Sequence, residues 1–233
     1  MINHIWAILW KQFKDTIKNK TILIQFLMFP CMTIIMENAI SIEGMPEHFF
    51  VNLFSSMYIG MAPLTSVASI ISEEKEKNTL RVLQMSNVKA IEYLISNAIY
   101  VILVCMVGSL VMGLVGGYRG RELLYFLLIM LVGHLTSIIV GATIGVASKN
   151  QMMATSLTVP VMMIFSFLPM LSMFNESIKK ISKYIFTEQL FGLISEVSDL
   201  QIEAETALIL GGNILIAFVV FVVVYRRSTY KSR

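Results

Sequence analysis

The stretch ISEEKEKNTLRVLQMSNVKAIEYL, Ile71 to Leu94, is the densest cluster of charge in the chain. Acids and bases alternate from Glu73 to Lys77, and a short apolar segment follows. On each side lies an apolar run long enough to cross a membrane. The fold turns on what those flanking runs are.

The chain has 233 residues, 56% of them hydrophobic and only 14% charged, and its mean hydropathy is +0.75. A soluble domain carries roughly 25% charged residues. This much apolar surface needs lipid as its solvent. A formal net charge of +3 without a basic, aromatic-interleaved tract argues against nucleic acid as a partner. Cys31 and Cys105 both lie in apolar runs and read as reduced, buried thiols. No small-residue cleavage site follows the first apolar run, so no cleavable signal is expected.

About 20 apolar residues span a bilayer as a helix. Six runs meet this length: Thr21 to Ile42, Phe49 to Ile71, Tyr93 to Gly117, Leu123 to Ser148, Met152 to Phe174 and Thr206 to Tyr225. The expected fold is an all-α membrane protein in one domain over residues 1–233. Residues 1–20 form an interfacial helix, 21–225 a six-span bundle and 226–233 a tail.

The basic residues orient the bundle. Lys11, Lys14, Lys18, Lys20, Lys75, Lys77, Arg81, Lys89, Lys149, Arg226, Arg227, Lys231 and Arg233 fall on one side. Arg119, Arg121, Lys179, Lys180 and Lys183 fall on the other. The richer side is expected in the cytoplasm, with both termini.

Two segments read as amphipathic. In MINHIWAILWKQFKDTIKNK, Ile2, Ile5, Trp6, Leu9, Phe13 and Ile17 recur at helical spacing beside a basic face. This suits a helix lying among lipid headgroups; the alternative is a helix packed on protein. The second segment, between the fifth and sixth runs, has stripes at Ile178, Ile181 and Ile185 and at Leu190, Leu193, Ile194 and Val197. It reads as two short amphipathic helices on the outer surface, or dipping into it; the other reading is an ordinary outside loop that is helical.

Several chemistries are excluded by absent motifs. The chain has no P-loop, no HExxH or Cys/His zinc pattern and no Gly-x-Ser-x-Gly elbow. His134 lies inside the fourth run, where a neutral imidazole bonded to a neighbouring helix is expected. Gly141 and Gly145, with Ser137 a turn earlier, form a small face for helix packing, and Gly113 and Gly117 read the same way. Pro30, Pro63, Pro160 and Pro169 interrupt the backbone hydrogen bonding of three spans. The second and fifth spans combine proline with Ser55, Ser56, Thr65 and Ser66, and with Thr155, Ser156, Thr158 and Ser166. These uncharged polar residues, with Pro160, are the expected lining of a path for a partly lipophilic substrate; helix-to-helix hydrogen bonding is the other reading.

In the opening stretch, Asn78 is an N-cap candidate for a two-turn helix from Thr79 to Met85, and Ser86 or Asn87 for the helix after it. Leu80 and Leu83 share a face, with Val82 beside it. So short an apolar helix needs a docking partner to persist in water, which points to a cytosolic protein.

Here the sequence resembles the membrane subunit of type 2 ATP-binding-cassette exporters. Their first cytoplasmic loop carries Glu-Lys/Arg-Glu-x-Gly-Thr-x-Glu-x-Leu-Leu before a Ser/Thr-Pro-Val-like turn. Glu74, Lys75, Glu76, Lys77, Thr79, Leu80 and Leu83 match it. Asn78 replaces the Gly, Arg81 an acid, and Asn87 the Pro. The order of parts along nearly the whole chain is similar too. The resemblance implies a coupling helix at Thr79 to Met85, with Glu74, Glu76, Asn78, Thr79, Leu80, Arg81 and Leu83 facing the ATPase. It also implies two separate cytosolic ATPase subunits that bind ATP and Mg, and a second permease subunit, identical or related. This chain itself then holds no cofactor and catalyses no hydrolysis.

The sequence therefore reads as the permease of an exporter for a lipophilic drug, amphipathic peptide or lipid-linked molecule. Ile, Lys and Asn usage suggests a bacterial plasma membrane. The alternative is a non-transporting accessory or immunity protein that binds a peptide or lipid.

Overall fold

The computed structural model describes residues 2–40, 46–86 and 88–230, without the side chains of residues 2, 3, 21, 81, 83, 84, 229 and 230. Its elements are α1 (Ile2–Lys18), α2 (Lys20–Ala39), α3 (Phe49–Glu76), α4 (Thr79–Met85), α5 (Ala90–Val115), α6 (Gly120–Ala147), α7 (Gln151–Ser172), α8 (Glu176–Ser182), α9 (Phe186–Ser195), a 3₁₀ turn (Val197–Asp199) and α10 (Ala204–Tyr230). Among the described residues there is no strand. Six helices are long and apolar enough to span: α2, α3, α5, α6, α7 and α10. They coincide with the six runs within a few residues. Ile42, at the expected end of the first run, lies outside the described residues.

The middle of the bundle is α3, which packs against α2, α5, α6, α7 and α9. Small residues allow the close approaches. A Cβ on Gly141 would lie 2.3 Å from the Leu64 carbonyl oxygen, and one on Gly60 2.7 Å from the Phe165 backbone. The Ser137/Gly141/Gly145 face therefore packs α6 onto α3 within the chain. Gly113 likewise faces Phe126 of α6, but Gly117 lies beyond α5 in a turn at φ +79°. That pair is not a continuous helical face.

All four spanning prolines lie inside their helices. Pro63 has no N–H for the Ile59 carbonyl four residues back. The Ser137 hydroxyl donates to that oxygen at 2.6 Å. A freed carbonyl at membrane depth is thus satisfied from the next helix, as lipid surroundings require.

α8 is mostly exposed, but α9 is inserted among the spans. Phe186, Leu190, Leu193 and Ile194 are buried, and Leu190 meets Ile59 at the site of Gly133. Ile59 is ten residues into α3, so α9 reaches about 15 Å along it. The space beside α3 is wide enough because α10 touches α6 and α9 rather than closing on α7. The end of α10 returns to the α6 terminus, where the Ser228 hydroxyl donates to Val146 O. The charged stretch and the α10 end therefore share one face of the bundle.

Candidate functional site

The charged stretch is helical further than its charge suggests, because α3 continues to Glu76. Successive residues of a helix point about 100° apart. Glu73 to Glu76 therefore face four directions, and each finds a different partner. Glu73 accepts from Asn19 at 3.3 Å and from Lys77 at 2.5 Å. Glu74 is buried against α1, where it accepts from Gln12 at 2.8 Å and pairs with Lys11. Lys75 donates to the carbonyls of Gly145, Val146 and Ser148 at the end of α6. Glu76 accepts from the Gln151 N–H at 2.8 Å, at the start of α7. A cation at a helix C-terminus and an anion at an N-terminus both oppose the helix dipole and satisfy orphan backbone groups. The cluster ties four other segments of the bundle to the end of α3.

Asn78 has φ +57°. This left-handed backbone ends α3, and Asn78 immediately precedes α4. The conformation explains its substitution for Gly. Thr79 donates its hydroxyl back to Glu74 O at 3.3 Å. α4 follows. Leu80 is half-buried and packs on the core of the bundle. Val82 and Met85 are the exposed apolar residues, Met85 at 81%. The side chains of Arg81 and Leu83, and Asn87 altogether, lie outside the described residues. Ser86 does not cap α5: its hydroxyl donates to Val82 O, and Lys89 stands at the cap with its N–H bonded to Glu92.

Beside this cluster lies an open polar cleft of about 610 Å³ between α1 and the ends of α2 and α3. Lys11, Asp15, Asn19, Glu73 and Thr79 line it. The inward face of α1 is mixed: Ile8 is buried together with two polar residues, while Lys14, Asp15 and Lys18 stay exposed. Gln12 and Thr16 are buried, and Thr16 accepts from the Tyr100 hydroxyl of α5 at 2.6 Å. His4 meets Glu92 at 3.1 Å. Trp6, Trp10, Phe13 and Ile17 face outward and are exposed. The polar contacts of α1 were hidden because their partners, Glu74 and Tyr100, are far along the chain.

The polar residues of the second and fifth spans divide into two groups. Ser55, Ser56, Thr65, Ser66, Thr158 and Ser166 are buried by the chain's own packing. Ser166 donates to Met57 O at 3.1 Å, Ser56 to Leu53 O at 2.8 Å, and Thr65 to Met61 O at 2.8 Å and to Gln25 at 3.1 Å. These residues lie inside the single-chain bundle and do not form an open surface. Thr155, Ser156 and Pro160 are exposed on the opposite side of α7. His134 is fully buried, 2.9 Å from the Ser109 hydroxyl of α5, with Tyr58 edge-on at 5.5 Å. It joins neighbouring helices, in keeping with the packing reading.

Six spanning helices, one of them buried among the others, with a charged clamp at one face, define a multi-pass membrane protein. A family model described as ABC-2 family transporter protein matches residues 11–226. The chain belongs to that family and is a membrane component of a transporter. No curated protein matches it.

Proposed function

We propose that the chain is the permease subunit of an ATP-driven exporter in a bacterial plasma membrane. The charged stretch, α1 and both termini face the cytoplasm. Two cytosolic ATPase subunits dock on α4, and a second permease, identical or related, completes the path. The substrate is lipophilic or amphipathic.

The observation that carries the docking role is the use of charge around α4. Glu73, Glu74, Lys75 and Glu76 are spent on the chain's own helices. Among the described side chains of α4, Val82 and Met85 remain presented. Any shift of α4 is transmitted through Asn78 to residues that hold the ends of α6 and α7. The exposed side of α7, with Thr155, Ser156 and Pro160, is the favoured wall of the path, since the serines of α3 are already covered. The distribution of basic residues supports the orientation.

Co-purification tests this reading. Tagged chain expressed from its native locus should bring down a P-loop ATPase in equal number, and its ATPase rate should rise with substrate. A chain that purifies with no ATPase, and binds a peptide or lipid alone, belongs to the accessory class instead.

A further inference from the structure

We infer that the groove between α1 and α5 is a binding site for one acyl chain of an anionic phospholipid, whose phosphate is taken by Lys14. The groove has a volume of about 300 Å³. One wall is Trp6, Leu9, Trp10 and Phe13 of α1, and the other is Tyr100 with Leu103, Val104 and Val107 of α5. The α5 wall belongs to a membrane span. The α1 wall is the aromatic face left outward when Gln12 and Thr16 turned in. Trp6 is 70% exposed and Trp10 55%, so the chain itself does not cover them.

Two features select this occupant. The groove is lined by aromatic and aliphatic side chains, with Tyr100 committed to Thr16. It therefore suits a hydrocarbon chain and offers no hydrogen bonds to a peptide. At its rim the Lys14 ammonium sits 5.3 Å from the Trp10 ring centre. Among the described residues Lys14 has no acidic partner, whereas Lys11 is held by Glu74 and Asp15. A free cation beside an apolar groove complements an anionic headgroup above its tail. Occupancy would press α1 onto α5 and so hold Lys11 and Gln12 against Glu74.

The chain contains only 2 Trp, and both line the groove, so its own fluorescence reports the site. The purified protein is reconstituted in phosphatidylcholine nanodiscs. Phosphatidylglycerol or phosphatidylcholine with brominated acyl chains is then added as quencher. Brominated phosphatidylglycerol should quench at a several-fold lower mole fraction and saturate. Lys14→Gln should abolish that preference, and Lys14→Arg should keep it. Leu103→Phe, which fills the groove, should weaken saturable quenching at an unchanged elution volume. Equal quenching by both headgroups, unaffected by Lys14→Gln, would mean ordinary bilayer contact and overturn the site. Absence of quenching by either would mean that protein, such as a second copy, covers the groove, and would overturn it equally. Neither result bears on whether the chain exports a substrate.

Discussion

Ser137 of α6 bonds the carbonyl of Ile59 on α3, the oxygen that Pro63 leaves without a backbone donor. The pair holds the two most closely packed helices together at the point where α3 gives up a bond of its own. Removing the hydroxyl leaves a buried acceptor unsatisfied, at a cost of about 1–3 kcal/mol. Ser137→Ala should lower the thermal midpoint of the detergent-solubilised chain. In a Pro63→Ala background the Ile59 carbonyl regains an N–H, so Ser137→Ala should then cost clearly less. A double-mutant cycle with no coupling would refute the link.

Gly141 is where α6 meets the α3 backbone. Gly141→Ala should destabilise by about 1–3 kcal/mol, because the contacted atom is a carbonyl and not a movable side chain. Gly211 on α10 has open space around it, and Gly211→Ala should be neutral or gain up to about 1 kcal/mol of helix propensity. Thermal unfolding of the two variants side by side checks the contrast.

Lys75→Met should destabilise the chain more than Lys77→Met. Lys75 holds three carbonyls at the α6 terminus, and hydrogen bonds to charged groups contribute about 1.5–3 kcal/mol. Lys77 makes an exposed pair four residues from Glu73, worth about 0.3–0.5 kcal/mol. Equal midpoints for the two variants would show that the α6 terminus does not depend on Lys75.

At the opposite face, Glu188 of α9 is half-buried and accepts from the Ser172 hydroxyl at 2.8 Å. Burial raises its pKa, although Ser172, Ser182 and Lys179 oppose the rise. The folded state then binds more protons than the unfolded one just above the ordinary carboxyl range. Stability should therefore increase as pH falls from neutral towards that range. Glu188→Gln should flatten this dependence and raise the midpoint at neutral pH. Thermal scans from pH 5 to 8 decide; a parent that loses stability on mild acidification while Glu188→Gln does the same would remove Glu188 from the cause.

Docking and packing on α4 should separate. Val82→Ala with Met85→Ala should weaken capture of the ATPase, since burying each apolar side chain is worth about 1.5–3 kcal/mol, and leave chain stability unchanged. Leu80→Ala should chiefly lower stability. If the Val82/Met85 pair transports and assembles like the parent, α4 is not the docking element.

The spans were legible because lipid imposes one rule on 20 consecutive residues, and that rule is written in composition. The small face of α6 was legible for the same reason: Gly141, Gly145 and Ser137 permit the approach. What escaped was every feature decided by a distant partner. The partners of Glu73 to Glu76 were hidden, because Asn19, Gln12, Val146 and Gln151 come from four other segments. Leu80 looked available because the core that half-covers it is not local. α9 looked superficial because its apolar stripe is short, and only the gap beside α3 lets it enter.

The polar contacts of α1 have a consequence for the order of biogenesis. Its Thr16 bonds Tyr100, which lies 84 residues later, and its His4 meets Glu92, 88 residues later. At synthesis rates of ~5–20 residues per second, that interval is several seconds. Until Glu74 follows Gln12 by 62 residues, the polar side of α1 has only water to meet, and the Trp6/Trp10/Phe13 side has only lipid. A nascent α1 therefore begins as a float on the membrane. It becomes part of the protein when α5 arrives to claim Thr16, and its aromatic side never has to let go.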